Sequence, residues 1–223
     1  MKNRLPGFNF WPICLLLWFL STPSLAGLTA DQTASTSVDI LLEISPANQA
    51  SEPAQSALLL HYEPLHGGLR EGMTNPSLTI YQDGYIRVFY PTYMKQEGTY
   101  VAHLSSAGLE KLWQKLIDPR LLQFDSQKIR NEMYFQERSR SERPSTRQGK
   151  SDEVTAVVEF YPNRGSPHST AIPGKPDEKK TISWYGLKTD AMRYTTVAEI
   201  QLLYEICEQL DAIMRSDQLS KIP

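Results

Sequence analysis

Three residues near the start of the folded region have types and spacing that suit metal chemistry: His61, Glu63 and His66, within His61-Tyr-Glu-Pro-Leu-His66. In an extended strand His61 and Glu63 point the same way. His66 follows Pro64 and could fold back as a third ligand, the number a catalytic zinc site takes from protein. Strand polarity at a loop entrance explains the same residues without a metal, and no metal is assigned. His103 and His168 have no comparable neighbours.

Cys207 is a second candidate, as a nucleophile. That role needs a histidine partner and an electropositive, partly open setting. Its place in an apolar helical stripe instead predicts a small buried hydrophobe. Carboxylates are plentiful, but nothing in the sequence selects two of them for acid–base work. The catalytic residues are therefore unknown. Tyr81, Tyr85 and Arg87 form a third group. Alternation along the strands puts them on one sheet face, a surface suited to a protein partner or a glycan. Cross-strand tyrosine pairing on a solvated face explains them without a partner and is the simpler reading. Lys128 to Lys150 is basic, which suits an anion-binding arm or simply a solvated loop.

The motifs of several enzyme classes are missing. The chain has no Gly-x-Gly, no Walker loop, no Gly-x-Ser-x-Gly and no His-Glu-x-x-His. No cofactor is expected. Triads assembled from distant positions are not excluded by this.

The N-terminus has the pattern of a secretory signal. Lys2 and Arg4 precede the apolar run Trp11–Leu20, and Ser24 and Ala26 supply small residues before Gly27. Cleavage is expected between Ala26 and Gly27. The run is shorter than the roughly 20 residues of a membrane-spanning helix. Gly27 stands where a lipid-modified chain would carry Cys. The expected location is the periplasm or the exterior, with no transmembrane helix in the mature chain. Losing Lys2 and Arg4 takes the formal charge from −2 to −4. That balance argues against a nucleic-acid partner. Cys14 leaves with the signal, so Cys207 has no intramolecular disulfide partner.

The elements that must position these residues follow from periodicity. Residues 27–53 read as a flexible leader, with Val38–Ile44 able to add an edge strand or a helical turn. Residues 54–223 read as a single α+β domain with a polar basic loop at about 137–152. Strands are expected at Ala57–Glu63, Tyr100–Leu104, Val154–Tyr161 and Thr181–Tyr185. Pro64–Pro76 reads as a loop. Ser77–Pro91 reads as a hairpin with a three-residue turn, Gln82-Asp83-Gly84. That turn pairs Ile80 with Ile86 and Leu78 with Val88, keeping all four on one face. Gly84 then takes the left-handed position.

Helices are expected at about 105–118 and 196–215, with a weaker one at Asp125–Gln136. The last carries Val197, Ile200, Leu203, Tyr204, Cys207 and Leu210 on one face. Glu199, Glu205, Glu208 and Asp211 are assigned to the opposite face. The fold class is an antiparallel sheet with amphipathic helices packed on one face.

The run from Ser77 to Leu116 combines a strand, an Asp-Gly turn, a strand ending near Tyr90-Pro91, another strand, and Leu104-Ser-Ser before a Leu-rich helix. With Trp184-Tyr-Gly-Leu187 and the terminal helix, it resembles uncharacterised exported proteins of bacteria. The resemblance implies an envelope location and carries no functional residue. Two functions remain. The first is a non-enzymatic binding or interaction module of the envelope, using the tyrosine-bearing face. The alternative is a small periplasmic hydrolase with a site assembled from scattered residues. An enzyme requires a concave pocket where titratable groups converge. A binding module of the first kind requires a flat or ridged aromatic surface without one.

Overall fold

The computed structural model describes residues 44–46, 56–67, 73–139, 153–164 and 178–223, all within one compact unit, Thr36–Pro223. The expected signal segment and its cleavage point at Ala26 and Gly27 lie outside the described residues. So do His168 and most of the expected basic loop.

The chain forms an α+β fold. Its antiparallel strands are β1 (Ile44–Pro46), β2 (Leu58–His66), β3 (Ser77–Tyr81), β4 (Tyr85–Tyr90), β5 (Gly98–Leu104), β6 (Val154–Phe160), β7 (Lys180–Tyr185) and β8 (Ser220–Lys221). The order across the sheet is β1-β5-β4-β3-β2-β6-β7, with β8 also on β5. Strands β2 to β5 make a meander. β6 then returns to the free side of β2, which becomes a central strand. The outer edge of β5 is shared by two short pieces, β1 against residues 102–104 and β8 against Tyr100 and Val101. Short strands are one way a sheet edge is protected from pairing with other chains.

The β3–β4 turn is the predicted three-residue one. Ile80 faces Ile86 and Leu78 faces Val88. Gly84 has φ +86°, and its N–H donates to the Tyr81 carbonyl. Asp83 Oδ1 accepts the Tyr85 N–H at 3.0 Å, closing the turn from its side chain.

One sheet face is apolar throughout: Leu60, Tyr62, Leu78, Ile80, Ile86, Val88, Ala102, Val158, Phe160, Ile182 and Trp184 all belong to the core. Helices cover that face. In α1 (Ser106–Leu116) Ser105 is the N-cap, accepting the Gly108 N–H at 3.0 Å. Leu109, Leu112, Trp113 and Leu116 turn inward. Asp118 starts a separate short helix, α2 (Pro119–Leu122), with Pro at its first turn. α3 (Ser126–Ser139) buries Ile129 and Met133. α4 (Leu187–Arg193) follows Gly186, and α5 (Ala198–Met214) is the longest helix among the described residues.

The structure differs from the sequence reading in several places, and the short α2 and β8 were not anticipated. Pro64 lies inside β2 and not in a loop, because beyond Tyr62 only β6 continues alongside it. A proline is tolerated where one side of a strand has no partner. Ile44–Pro46 forms a strand within the expected leader. Residues 137–139, expected in the basic loop, complete the last turn of α3. There Glu137 pairs with Arg193 at 2.8 Å and accepts from the Tyr194 phenol. α4 was not anticipated; its residues carry too few apolar positions for a periodic signal.

Among the described residues, no helix is long and apolar enough to cross a membrane.

Candidate functional site

The sequence-selected residues separate into two faces. His61 and Glu63 lie on the face away from the helices. His61 Nδ1 is 3.2 Å from Thr79 Oγ1, and Glu63 Oε1 accepts from Asn75 at 3.3 Å. His66 is an odd number of residues from both and turns to the helix-covered side, where it borders a cleft. The three do not converge. Among the described residues no group of three His, Cys, Asp or Glu is placed to hold a metal.

Tyr81, Tyr85 and Arg87 do share the face opposite Leu78 and Ile80, as the register requires. The two tyrosine rings meet at 5.9 Å and 59°. Arg87 is exposed, Tyr81 is half-buried and Tyr85 is 7% exposed. Tyr85 therefore offers little ring surface to a partner.

The concave feature lies on the other side of the sheet. A cleft of about 520 Å³ opens between the end of β2 and β6 and the C-terminal half of α5. Its floor has a physical cause. Pro64 pairs with Ala156 at this end of the sheet, and both side chains are short. Elsewhere the same face carries Tyr62 and Phe160, which fill the space beneath the helices. α5 supplies one wall with Tyr204, Cys207, Glu208, Asp211 and Met214, at spacings of three and four residues. The start of α4 and the connection after Tyr90 supply the others. The volume falls within the roughly 300–1,000 Å³ range of small-molecule sites.

Polar groups converge in this cleft. The Tyr62 phenol donates to Asp211 Oδ1 at 3.0 Å. The Tyr90 phenol donates to the Met214 carbonyl. Thr189 Oγ1 donates to Glu153 Oε1 at 2.8 Å. Burial dominates the titration of the phenols, Cys207 and Asp211. It pushes the Tyr62 phenol up, with Cys207 and Asp211 adding to the shift. It raises Tyr90 and Tyr204, the latter helped by Glu208. It raises the Cys207 thiol, again with Asp211 and Glu208 adding. Asp211 is raised too, mainly by burial; the Tyr62 hydrogen bond and the Arg215 charge oppose this. In each case desolvation disfavours the charged form.

The chemistry follows from those protonation states. Cys207 is 4% exposed and its thiol stays protonated, so it is a core residue at the cleft wall and a poor nucleophile. The phenols stay neutral and act as hydrogen-bond donors. Asp211 is the partly desolvated acid of the site. Sequence reasoning placed Asp211 and Glu208 on the solvent face of α5; both are half-buried instead. The signal was present in the spacing. Tyr204, Cys207 and Asp211 are related by three and four residues, so they share a helix face.

No protein-family model, curated protein or solved structure matches this chain.

Proposed function

We propose that this is an exported envelope protein that binds a small ligand in the cleft between β2, β6 and α5. The observation that carries the reading is the cleft itself: about 520 Å³, with apolar walls and a Tyr62–Asp211 pair set into them. Apolar surface supplies affinity, and a few fixed polar groups supply orientation. The signal-like segment at residues 1–26 supports export to the periplasm or beyond. The binding surface is thereby assigned to the helix-covered side and not to the Tyr81–Tyr85 face.

A concave pocket bordered by titratable groups is not the feature expected of a module binding through a flat aromatic face; it is the one expected of the alternative, a small hydrolase. The observation favouring it is the gathering of Asp211, Glu208 and His66 at one cleft. Binding is preferred because the thiol and phenols are held neutral, so neither Cys207 nor the tyrosines of the cleft are activated as nucleophiles.

The test is native mass spectrometry of the protein recovered from its own cell envelope. The expected result is a mature chain starting at Gly27 with a small molecule of constant mass retained. An Ala156→Phe variant, which fills the floor, should lose that molecule while its circular dichroism is unchanged. A chain starting at Met1 would overturn the export reading. A bound mass unaffected by Ala156→Phe would overturn the cleft.

A further inference from the structure

We infer that the cleft selects an organic ammonium compound, a primary amine on a short apolar body, with the amine held by the second carboxylate oxygen of Asp211. This rests on the reading of the cleft as a ligand site.

Asp211 uses Oδ1 to accept from Tyr62. Its Oδ2 has no hydrogen-bond partner among the described residues, and no cation there stands within ion-pair distance of it. A half-buried carboxylate with an unused oxygen in a cleft is an acceptor waiting for a donor.

The placement of charge gives the sign. Glu153, Glu208 and Asp211 are half-buried, whereas His66, Lys188 and Arg215 are exposed at the same cleft. Charges in solvent are screened over short distances, and partly buried ones much less so. Arg215 and His66 act on Asp211 from the exposed rim, while the half-buried charges of the cleft are all carboxylates. Glu153 already accepts from Thr189. Glu208, three residues from Asp211 on the same helix face, is hydrogen-bonded to Tyr204, so the second oxygen of Asp211 is what remains to meet a ligand.

The rest of the wall fits an amine on an apolar body. Of the tyrosines bordering the cleft, Tyr62 and Tyr90 are 2% and 6% exposed and offer little ring surface, whereas Tyr204 is half-buried and can present its ring. Aromatic ring faces attract cations, most strongly when water is excluded. Met94 is half-buried and offers apolar surface for the body, with the buried Met214 and Leu187 behind it at the cleft wall. A neutral ligand would favour the protonated carboxyl that burial already promotes and would gain no charge pairing. An anionic one would add repulsion. A bare metal ion would lack ligands, since no three suitable side chains gather among the described residues.

The experiment uses three probes with one body: 4-phenylbutylamine, 4-phenylbutanol and 4-phenylbutyrate. Binding is read by NMR of methionine methyl groups. Met94 and Met214 border the cleft; Met133 is packed beneath α3 and serves as the control. The amine should shift Met94 and Met214, leave Met133 still, and bind at least about tenfold tighter than the alcohol or the acid, the scale of a hydrogen bond to a charged group. Asp211→Asn should abolish that preference while alcohol binding persists.

Equal or tighter binding of the alcohol or acid, with the same two methyls moving, overturns the amine inference and leaves the cleft reading intact. Failure of all three probes to move Met94 and Met214 overturns both. An amine preference that survives Asp211→Asn overturns the assigned anchor. The probe series in the unaltered protein decides the charge preference even if the variant fails to fold.

Discussion

The phenol of Tyr62 on β2 donates to Asp211 on α5 across 3.0 Å, between residues 149 apart in the chain. This hydrogen bond ties a central strand to the last long helix at the edge of the cleft. It also spends one of the two acceptor oxygens of a partly desolvated carboxylate. Removing the donor in Tyr62→Phe leaves both oxygens of Asp211 without a hydrogen bond from the described residues. The expected cost is about 1–3 kcal/mol. Urea unfolding measures it, and a variant as stable as the parent would show that the bond contributes nothing.

Asp211 also predicts a pH dependence. Its carboxyl is raised by burial, so the folded state holds that proton more tightly than the unfolded chain does. Stability from this group is fully present below the unfolded pKa, about 3.9. It is lost as pH rises through the higher folded value. Asp211→Asn lacks that loss and should gain on the parent as pH climbs from about 4 towards neutrality. Unfolding midpoints of both proteins across that range test the sign. A parent that gains on the variant contradicts it.

Gly84 is fixed by its turn. Its φ is +86°, and an added Cβ would lie 2.5 Å from the Leu104 carbonyl oxygen. That carbonyl belongs to β5, and the Leu104 N–H already donates to the Gly84 carbonyl at 2.9 Å. Backbone crowds the site, so a side chain cannot rotate clear. Gly84→Ala should cost more than about 1 kcal/mol, from strain and clash together. Calorimetry on the variant provides the number; a neutral change would mean the turn can be rebuilt.

Trp184 and Asp190 make a buried pair in which the indole Nε1 donates to Asp190 Oδ2 at 2.9 Å. The same indole meets Phe124 edge-on at 5.8 Å and lies under the Arg130 guanidinium at 4.3 Å. Asp190→Ala would leave a fully buried N–H without this acceptor. The expected loss is about 1–3 kcal/mol. It should be accompanied by a change in tryptophan fluorescence, since Trp184 would lose a polar neighbour. Unchanged stability and emission would mark the pair as incidental.

Cys207 should resist thiol reagents in the folded protein. Burial excludes the reagent and keeps the thiol protonated. Ellman's reagent is expected to react at least about a hundredfold faster in denaturant than in buffer, following the opening free energy of the surrounding helix. Rapid native labelling would place α5 in a more open state than the packing here allows.

The sequence by itself determined what depends on local period. Alternation put Leu78, Ile80, Ile86 and Val88 on one face and fixed the three-residue turn, because a one-residue slip would have sent half of them to the other side. Helical spacing found α1 and α5, and the structure puts the N-cap of the first at Ser105. The same rule already separates His66 from His61 and Glu63, since an odd spacing reverses side-chain direction in a strand that runs through Pro64. What the sequence could not supply was that β2 continues through that proline. Only the return of β6 alongside β2 decided it.

The cleft belongs wholly to the tertiary structure. It exists because Pro64 and Ala156, 92 positions apart, meet as a pair of short side chains under the end of α5. Pairing between distant strands leaves no periodic trace in the sequence. The depth of Asp211 has the same origin. Spacing places it beside Cys207, but the neighbours that remove its water come from another element. A carboxylate on a helix is a solvated charge or a desolvated anchor according to what packs across from it. Here Tyr62 is what stands across from it.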